Sequence, residues 1–131
     1  MPVTLTYNPQ KKILYLTVVG PLSLEEYVAT IQRITHSPEY PPNVSALWDL
    51  RKADLQSADR TFFKKILERR EQHREREHVK VALIASSDLE YGMSRMFEAL
   101  SENETISQKL MVFRDYEKGE RWLLALDSKG E

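Results

Sequence analysis

The sequence contains no cysteine. Disulfides, thiolate nucleophiles and thiolate metal sites are therefore excluded together, because each of them needs a cysteine sulfur. Glycine is also scarce, with four residues in the chain, and neither a glycine-rich phosphate-binding loop nor a Gly-x-Ser-x-Gly nucleophile turn is present. These absences remove thiol enzymes, P-loop proteins and serine hydrolases of the elbow type from consideration.

The chain also lacks a strong charge and a long apolar run. It has 19 basic and 20 acidic residues, for a formal net charge of -1, so no overall field attracts nucleic acid or an anionic membrane. No stretch approaches the roughly 20 apolar residues that a membrane-spanning helix needs. Residues 1–7 lack the basic start and apolar run of a signal peptide. We therefore expect a cytoplasmic protein with no nucleic-acid partner and no stable membrane insertion.

Length and composition predict one globular domain over residues 1–131. Domains commonly run about 100–150 residues. With 41% hydrophobic and 30% charged residues, the chain has the composition of a globular rather than a disordered protein.

Hydrophobic patterning predicts five strands. Polar and apolar residues alternate near the N terminus, which is typical of a strand with one solvated face, whereas VKVALIA is almost continuously apolar, as in a strand covered on both faces. The predicted strands are residues 3–7, 13–19, 44–50, 79–85 and 109–113. The short turn after the first strand indicates an antiparallel hairpin.

Four helices are predicted between and after these strands. Ser23 and Glu26 form a capping box before the first helix, the second begins near Ser57, Asp88 can cap the third, and a short fourth helix contains Trp122. Strands that alternate with helices need crossover connections, which are right-handed. The sequence therefore predicts an α/β domain with a mixed, mainly parallel sheet and an antiparallel N-terminal edge hairpin.

Polar side chains follow the predicted parallel strands, whose carboxyl ends meet at one edge of the sheet. The candidate recognition residues at this edge are Asp49, Arg51, Lys52, Ser57, Ser86, Ser87 and Asp88, with Arg114 and Asp115 beside them. Carboxylates brought close together could bind magnesium, or one could act as an acid. Alternatively they are structural, with Asp88 as a helix cap and the other two aspartates paired with the neighbouring arginines.

Ser57 has two interpretations. A hydroxyl at a helix N-terminus is well placed to carry a phosphate, because free backbone amides and the helix dipole face it. The same position suits an ordinary N-cap serine, which stabilises a helix by about 1 kcal/mol. The residues alone favour the cap.

Apolar side chains at helical spacing form a second candidate site. They are Phe62, Phe63, Met93, Met96 and Phe97. They could line a pocket for an apolar ligand or lipid, or form a dimer surface, because methionine adapts to varied partners. Such a stripe more often belongs to the core.

Metal binding is not expected. His73 and His78 lie among glutamates, but their separation of five residues does not match the spacing of three or four that places ligands on one helix face. We expect no cofactor and no metal ion.

Several stretches resemble one protein family. They are the Gly20-Pro21 turn, ALWDL at 46–50, VKVALIAS at 79–86 and MVFRDYEKGERWL at 111–123. Together with the order of strands and helices, they are similar to the SpoIIAA-like branch of the STAS superfamily. The resemblance covers nearly the whole chain. It implies a small α/β sandwich shared with anti-sigma-factor antagonists and CRAL-TRIO lipid-binding domains, whose members are regulatory or ligand-binding modules.

The resemblance also assigns two residues. Asp49 matches the aspartate at the end of the antagonists' third strand, and Ser57 falls near their phosphorylated serine. Gln56 stands where that motif has aspartate, and Ala58-Asp59 stands where it has Ser-Gly. Asp59 adds a charge that repels an incoming phosphate. The resemblance therefore does not carry the phosphorylation scheme over to this chain.

These observations lead to three hypotheses of function. The first is a non-enzymatic regulatory or binding module, which recognises a protein partner or small ligand through residues 49–57 and 86–91. The second is a carrier of an apolar ligand or lipid. The third is a magnesium-dependent hydrolase that uses Asp49, Asp88 and Asp115. A homodimer is compatible with the first two.

Overall fold

The computed structural model describes residues 3–40, 44–54, 60–72, 80–101 and 109–125. Within these ranges the chain forms five strands and four helices. They are β1 (Val3–Asn8), β2 (Ile13–Pro21), α1 (Leu24–His36), β3 (Ser45–Asp54), α2 (Arg60–Gln72), β4 (Lys80–Ile84), α3 (Asp88–Ser101), β5 (Lys109–Phe113) and α4 (Tyr116–Leu124). None of the helices in the described ranges has the length and apolar character needed to cross a bilayer.

The strands form one sheet in the order β1-β2-β3-β4-β5. β1 is antiparallel to β2, and every other neighbouring pair is parallel. The predicted fold class is thus confirmed. The capping box before α1 is also confirmed, since Ser23 Oγ accepts from the Glu26 amide and the Glu26 carboxylate accepts from the Ser23 amide.

Two hydrophobic clusters lie on opposite faces of the sheet. In the larger cluster, residues of the central strands such as Leu16 and Trp48 pack against Tyr27, Phe63 and Phe97 of α1, α2 and α3. The smaller cluster lies under α4 and contains Ile13, Leu47, Ala82, Ile84 and Leu123. Successive strand residues alternate between the two faces, so the central strands are buried on both sides, as the apolar run of β4 predicted.

The C-terminal end of α4 is anchored by a buried lysine in the smaller cluster. Lys80 Nζ donates to the carbonyls of Trp122 and Ala125, each at 2.9 Å, and lies 5.2 Å from the centroid of the Trp122 ring. Carbonyls in the last turn of a helix have no partner within the helix. Lys80 therefore supplies donors where α4 needs them, which explains a charged residue inside an otherwise apolar strand.

The third strand is longer than predicted. The sequence places its end at Leu50, but β3 continues to Asp54 because β2 also continues and pairs Pro21 with Asp54. The interpretation of Arg51 and Lys52 as loop residues is therefore wrong. The polar run RKAD is the last part of β3. It extends beyond the end of β4, whose pairing with β3 ends at Asp49.

Two helical glycines offer a matched test of this packing. A Cβ on Gly119 of α4 would lie 2.5 Å from Ile84 Cδ1 and 3.3 Å from a Phe113 ring carbon, whereas a Cβ on Gly92 of α3 would have nothing within 4 Å. We expect Gly119→Ala to lower the free energy of unfolding by about 1 kcal/mol, because overpacking exceeds the gain in helix propensity.

Gly92→Ala should raise the free energy of unfolding by roughly 0.5–1 kcal/mol, because alanine restricts the unfolded chain and favours the helix. Urea unfolding followed by circular dichroism measures both changes. A stabilising Gly119→Ala substitution would show that α4 does not pack closely on the sheet.

Candidate functional site

A bulge in β3 creates the centre of the site. Thr17 pairs with Asp49 and Val19 pairs with Lys52, so β3 has one more residue than β2 between these pairs. Bulges change the direction of side chains and occur often beside functional sites. Arg51 lies in this bulge and turns back onto Asp49.

Asp49 and Arg51 make a two-pronged ion pair. Arg51 Nε donates to Asp49 Oδ1 at 2.9 Å and Nη2 donates to Oδ2 at 2.8 Å, while the Arg51 backbone amide also donates to Oδ1 at 3.1 Å. Burial of Asp49 alone would raise its pKa, but the hydrogen bonds from Arg51 outweigh burial and lower the pKa of the carboxyl. Asp49 therefore stays ionised and holds the guanidinium in one orientation.

The Arg51 guanidinium also lies over an aromatic ring. Its Cζ is 5.0 Å from the centroid of Tyr116, at the start of α4, a distance typical of a cation–π contact. Burial, followed by the negative charges of Glu120 and Asp49, raises the pKa of Tyr116. We call Asp49, Arg51 and Tyr116 the first arginine unit.

A second arginine unit lies at the end of β5. Arg114 Nη2 donates to Asp88 Oδ1 at 2.7 Å and Nη1 donates to the Ser86 carbonyl at 3.2 Å. Its Cζ lies 4.4 Å from the ring centroid of Tyr91 in α3. Asp88, Arg114 and Tyr91 therefore repeat the combination of carboxylate, guanidinium and tyrosine ring found in the first arginine unit.

The sequence predicted, as one alternative, that Asp49 and Asp115 pair with the arginines next to them, and this holds for only one of the two. The pairing of Asp49 with Arg51 is confirmed, but Arg114 pairs with Asp88 and not with Asp115. Asp115 instead caps α4, where its Oδ1 accepts from the amides of Glu117 at 2.8 Å and Lys118 at 3.3 Å. Asp115 and Arg114 are thus adjacent in sequence but are not paired with each other in the structure.

The remaining candidate recognition residues lie close to the two units. Lys52 is exposed on β3, and Ser86 and Ser87 are exposed between β4 and α3. The Ser87 carbonyl accepts from the Tyr91 amide at 2.8 Å, and Asp88 is the first residue of α3. Ser57 lies outside the described residues, so both of its interpretations stay predictions.

The magnesium hypothesis receives no support from the carboxylates. Asp49 and Asp88 are each bonded to an arginine, and Asp115 is bonded to helix amides. Across the described part of the chain, no three histidine or acidic side chains come together in a way that could hold a metal ion.

The candidate apolar residues lie between α2 and α3. Phe63 and Phe97 are buried, with ring centroids 5.4 Å apart, and Phe62 lies 5.6 Å from Phe63. Phe62 and Met96 are partly buried and pack against the larger cluster. The side chain of Met93 lies outside the described residues. The three rings thus pack on one another, as the core interpretation predicts.

An open groove of about 600 Å³ lies on the other face of the sheet, between α4 and the β1–β2 hairpin. Glu120 of α4 is one of its lining residues. Glu120 Oε2 accepts a short hydrogen bond from the Tyr15 hydroxyl and another from Lys11 Nζ at 3.2 Å. Tyr116 lines the groove as well, so the groove adjoins the first arginine unit.

The Tyr15–Glu120 pair shifts both pKa values. The hydrogen bond from Tyr15, followed by the contacts of Lys11, lowers the pKa of Glu120 against the opposing effect of burial. Burial, and then the hydrogen bond and charge of Glu120, raises the pKa of Tyr15. At neutral pH the pair is therefore a phenol that donates to an ionised carboxylate.

Sequence reasoning missed most of the aromatic members of the site. Tyr91 was the last residue of the predicted range 86–91, but Tyr15, Tyr116 and Glu120 were not among the candidate residues. A signal was present for one pair, since Tyr116 and Glu120 are four residues apart and share a helix face. The arginine–tyrosine contacts had no such signal, because they join different elements.

The sequence matches no protein-family model and no curated protein. The fold is similar to that of a solved structure, an uncharacterized protein of the DUF3478 family from Shewanella loihica PV-4 with a SpoIIAA-like fold. The two chains are 18% identical, with a TM-score of 0.59 over 92% of this chain and 91% of the other. The chain thus has a SpoIIAA-like α/β fold, as the sequence resemblance predicted.

The Tyr15–Glu120 hydrogen bond should make stability depend on pH. Because the pKa of Glu120 is lowered on folding, its contribution is complete above the unfolded pKa and is lost as pH falls through the folded pKa. Tyr15→Phe keeps the ring but removes the donor. We expect it to cost about 1.5 kcal/mol at neutral pH, and the difference from wild type to shrink in acid.

Urea unfolding at a series of pH values measures this difference. Tyr7→Phe is the matched control, because Tyr7 is a partly buried tyrosine of the same hairpin whose ring packs on Tyr40. A Tyr15→Phe cost that stays constant from neutral to acidic pH would contradict the assigned hydrogen bond.

Proposed function

We propose that this protein is a non-catalytic binding module that recognises a protein partner through the two arginine units. The observation that supports this most strongly is that the same combination occurs twice, once in the bulge of β3 and once directly after β5. Each unit presents a guanidinium held by a carboxylate and by a tyrosine ring. The side chains of Arg51 and Arg114 remain 46% and 49% exposed, so both can be reached from solvent.

The chemistry of the units suits protein recognition. Arginine and tyrosine are enriched in the energetically dominant positions of protein interfaces. A guanidinium has five N–H donors, and the contacts within each unit use only some of them. The remaining donors suit carboxylates or backbone carbonyls of a partner. Because Arg51 is already held by Asp49, whose side chain is only 13% exposed, binding through Arg51 loses less conformational entropy.

The placement of the units favours a protein over a small ligand. Tyr116 belongs to α4 and Tyr91 belongs to α3, helices whose clusters lie on opposite faces of the sheet. The units therefore flank the edge of the sheet rather than line one concave pocket. Small ligands bind in clefts, whereas a protein surface can contact both units together.

Other parts of the hypothesis rest on the sequence. Lys52 and the exposed serines 86 and 87 would extend the surface, and Ser57 stays a predicted member of it. A cytoplasmic setting belongs to the same proposal. The apolar-ligand carrier is the weaker alternative, because Phe62, Phe63 and Phe97 pack on one another.

Substitution of the two arginines tests the proposal. Affinity purification from the source cells with quantitative mass spectrometry would compare wild type with Arg51→Ala, Arg114→Ala and the double variant. We expect each single variant to weaken capture of the same partner by roughly tenfold or more, as for a residue that dominates an interface. Arg51→Lys should also fail, because an ammonium cannot reproduce the two-pronged geometry.

Arg121→Ala is the matched control, since Arg121 is an exposed arginine on the last turn of α4. It should capture the partner as well as wild type does. The proposal is wrong if wild type captures no specific partner, or if the partner is retained equally by the double variant.

A further inference from the structure

The two edges of the sheet are built differently. At the β5 edge, the Val112 amide donates to Glu98 Oε2 of α3 at 3.3 Å, and Glu98 Oε1 is held by Arg95 at 3.3 Å. The Glu98 carboxylate therefore accepts the hydrogen bond of a backbone N–H group that a further strand would need for pairing. Native sheets protect their edges in this way against pairing with further strands.

The β1 edge has no comparable charge. β1 pairs with β2 through six consecutive residues in one unbroken register, from Val3–Val18 to Asn8–Ile13. Its sequence, VTLTYN, contains no charged residue and no proline. Thr4 and Thr6 are exposed, while Leu5 and Tyr7 are only partly buried. A regular, uncharged edge strand is a template for a further strand.

We propose that β1 pairs with β1 of a second copy of this chain, in antiparallel orientation, to form a continuous ten-stranded sheet. The twofold axis is perpendicular to the sheet and passes midway between the Leu5 residues of the two copies. Residues opposite each other in an antiparallel pair lie on the same face. With the axis in this direction, equivalent faces of the two sheets lie on the same side of the dimer. Odd-numbered residues of β1 therefore lie opposite odd-numbered residues of the second copy, and even-numbered residues lie opposite even-numbered ones.

This register makes the strand complementary to itself. Leu5 faces Leu5 of the second copy, and Val3 faces Tyr7, so apolar side chains meet on the face that carries the larger cluster. Thr4 faces Thr6 on the other face, where both are exposed. Pairs of threonines across strands are favourable. The absence of charge from β1 removes the repulsion that opposes such pairing, and this argues for a second copy over an unrelated strand.

The dimer should be weak. One pair of strands buries less surface than the standard stable interface, so assembly should depend on concentration. It is independent of the arginine units, which lie in the bulge of β3 and directly after β5. Failure of the dimer would therefore leave the proposed recognition surface untouched.

A charge-exchange experiment tests both the edge and the register. In the variant Thr4→Lys with Thr6→Lys, like charges face each other across the axis, whereas Thr4→Lys with Thr6→Glu places opposite charges there. Analytical ultracentrifugation over a concentration series measures the association. We expect wild type and the lysine–glutamate variant to dimerise, and the double-lysine variant to shift at least tenfold toward monomer. Both positions, Thr4 and Thr6, are exposed, so folding should be retained.

A cross-link gives an independent measurement, because the chain contains no cysteine. Leu5→Cys places two thiols across the twofold axis, and mild oxidation should give a covalent dimer. Met111→Cys, at an exposed position of β5, is the control and should remain mostly monomeric. A monomeric wild type at every concentration overturns the proposal. Equal dimerisation of the two charge variants also overturns it, and would point to another surface.

Discussion

The structure depends on one constraint. In the part of the chain that the structure describes, the nine-residue helix α4 alone covers the face of the sheet opposite to α1, α2 and α3. Leu47 and Ile84 are fully buried beneath it. Gly119 lets the helix approach Ile84 and Phe113 closely. Asp115 caps the start of the helix, and Lys80 donates hydrogen bonds to the carbonyls of Trp122 and Ala125 at its end. These contacts compensate for a helix too short to be stable alone. Since α4 packs on β3, β4 and β5, the β1–β2 half of this face remains more open, and Val19 is 55% exposed.

The same packing positions the candidate recognition surface. α4 carries Tyr116 to Arg51, and α3 on the opposite face carries Tyr91 to Arg114. β3 supplies both Asp49 and Arg51 of the first unit, whereas α3 supplies both Asp88 and Tyr91 of the second, and Arg114 directly follows β5. Glu120 links α4 to the hairpin through Tyr15 and Lys11. The position of the first unit is therefore coupled to the hairpin as well as to the core.

Sequence reasoning predicted most of the fold because strand and helix positions follow from local periodicity, and the parallel direction of the later strands follows from their crossover connections. It also identified Asp49, Arg51 and Asp88 as candidates from their place after apolar strands. It ended β3 too early because RKAD has no hydrophobic pattern, and the extension depends on pairing with β2. It could not find the partners of Arg114 or the role of Lys80, since these contacts join residues distant in sequence. Such pairings are consequences of the assembled fold rather than of local pattern.

The central claim is that the recognition groups are held in place before a partner arrives. NMR measurement of hydrogen exchange at the arginine Nε–H groups of the free protein tests it most directly. The Arg51 Nε–H, bonded to Asp49 at 2.9 Å, should exchange with water markedly more slowly than that of Arg121, and Asp49→Asn should remove much of this protection. Equal exchange at Arg51 and Arg121 would contradict the account, because it would mean that the first arginine unit is not formed in the unbound protein.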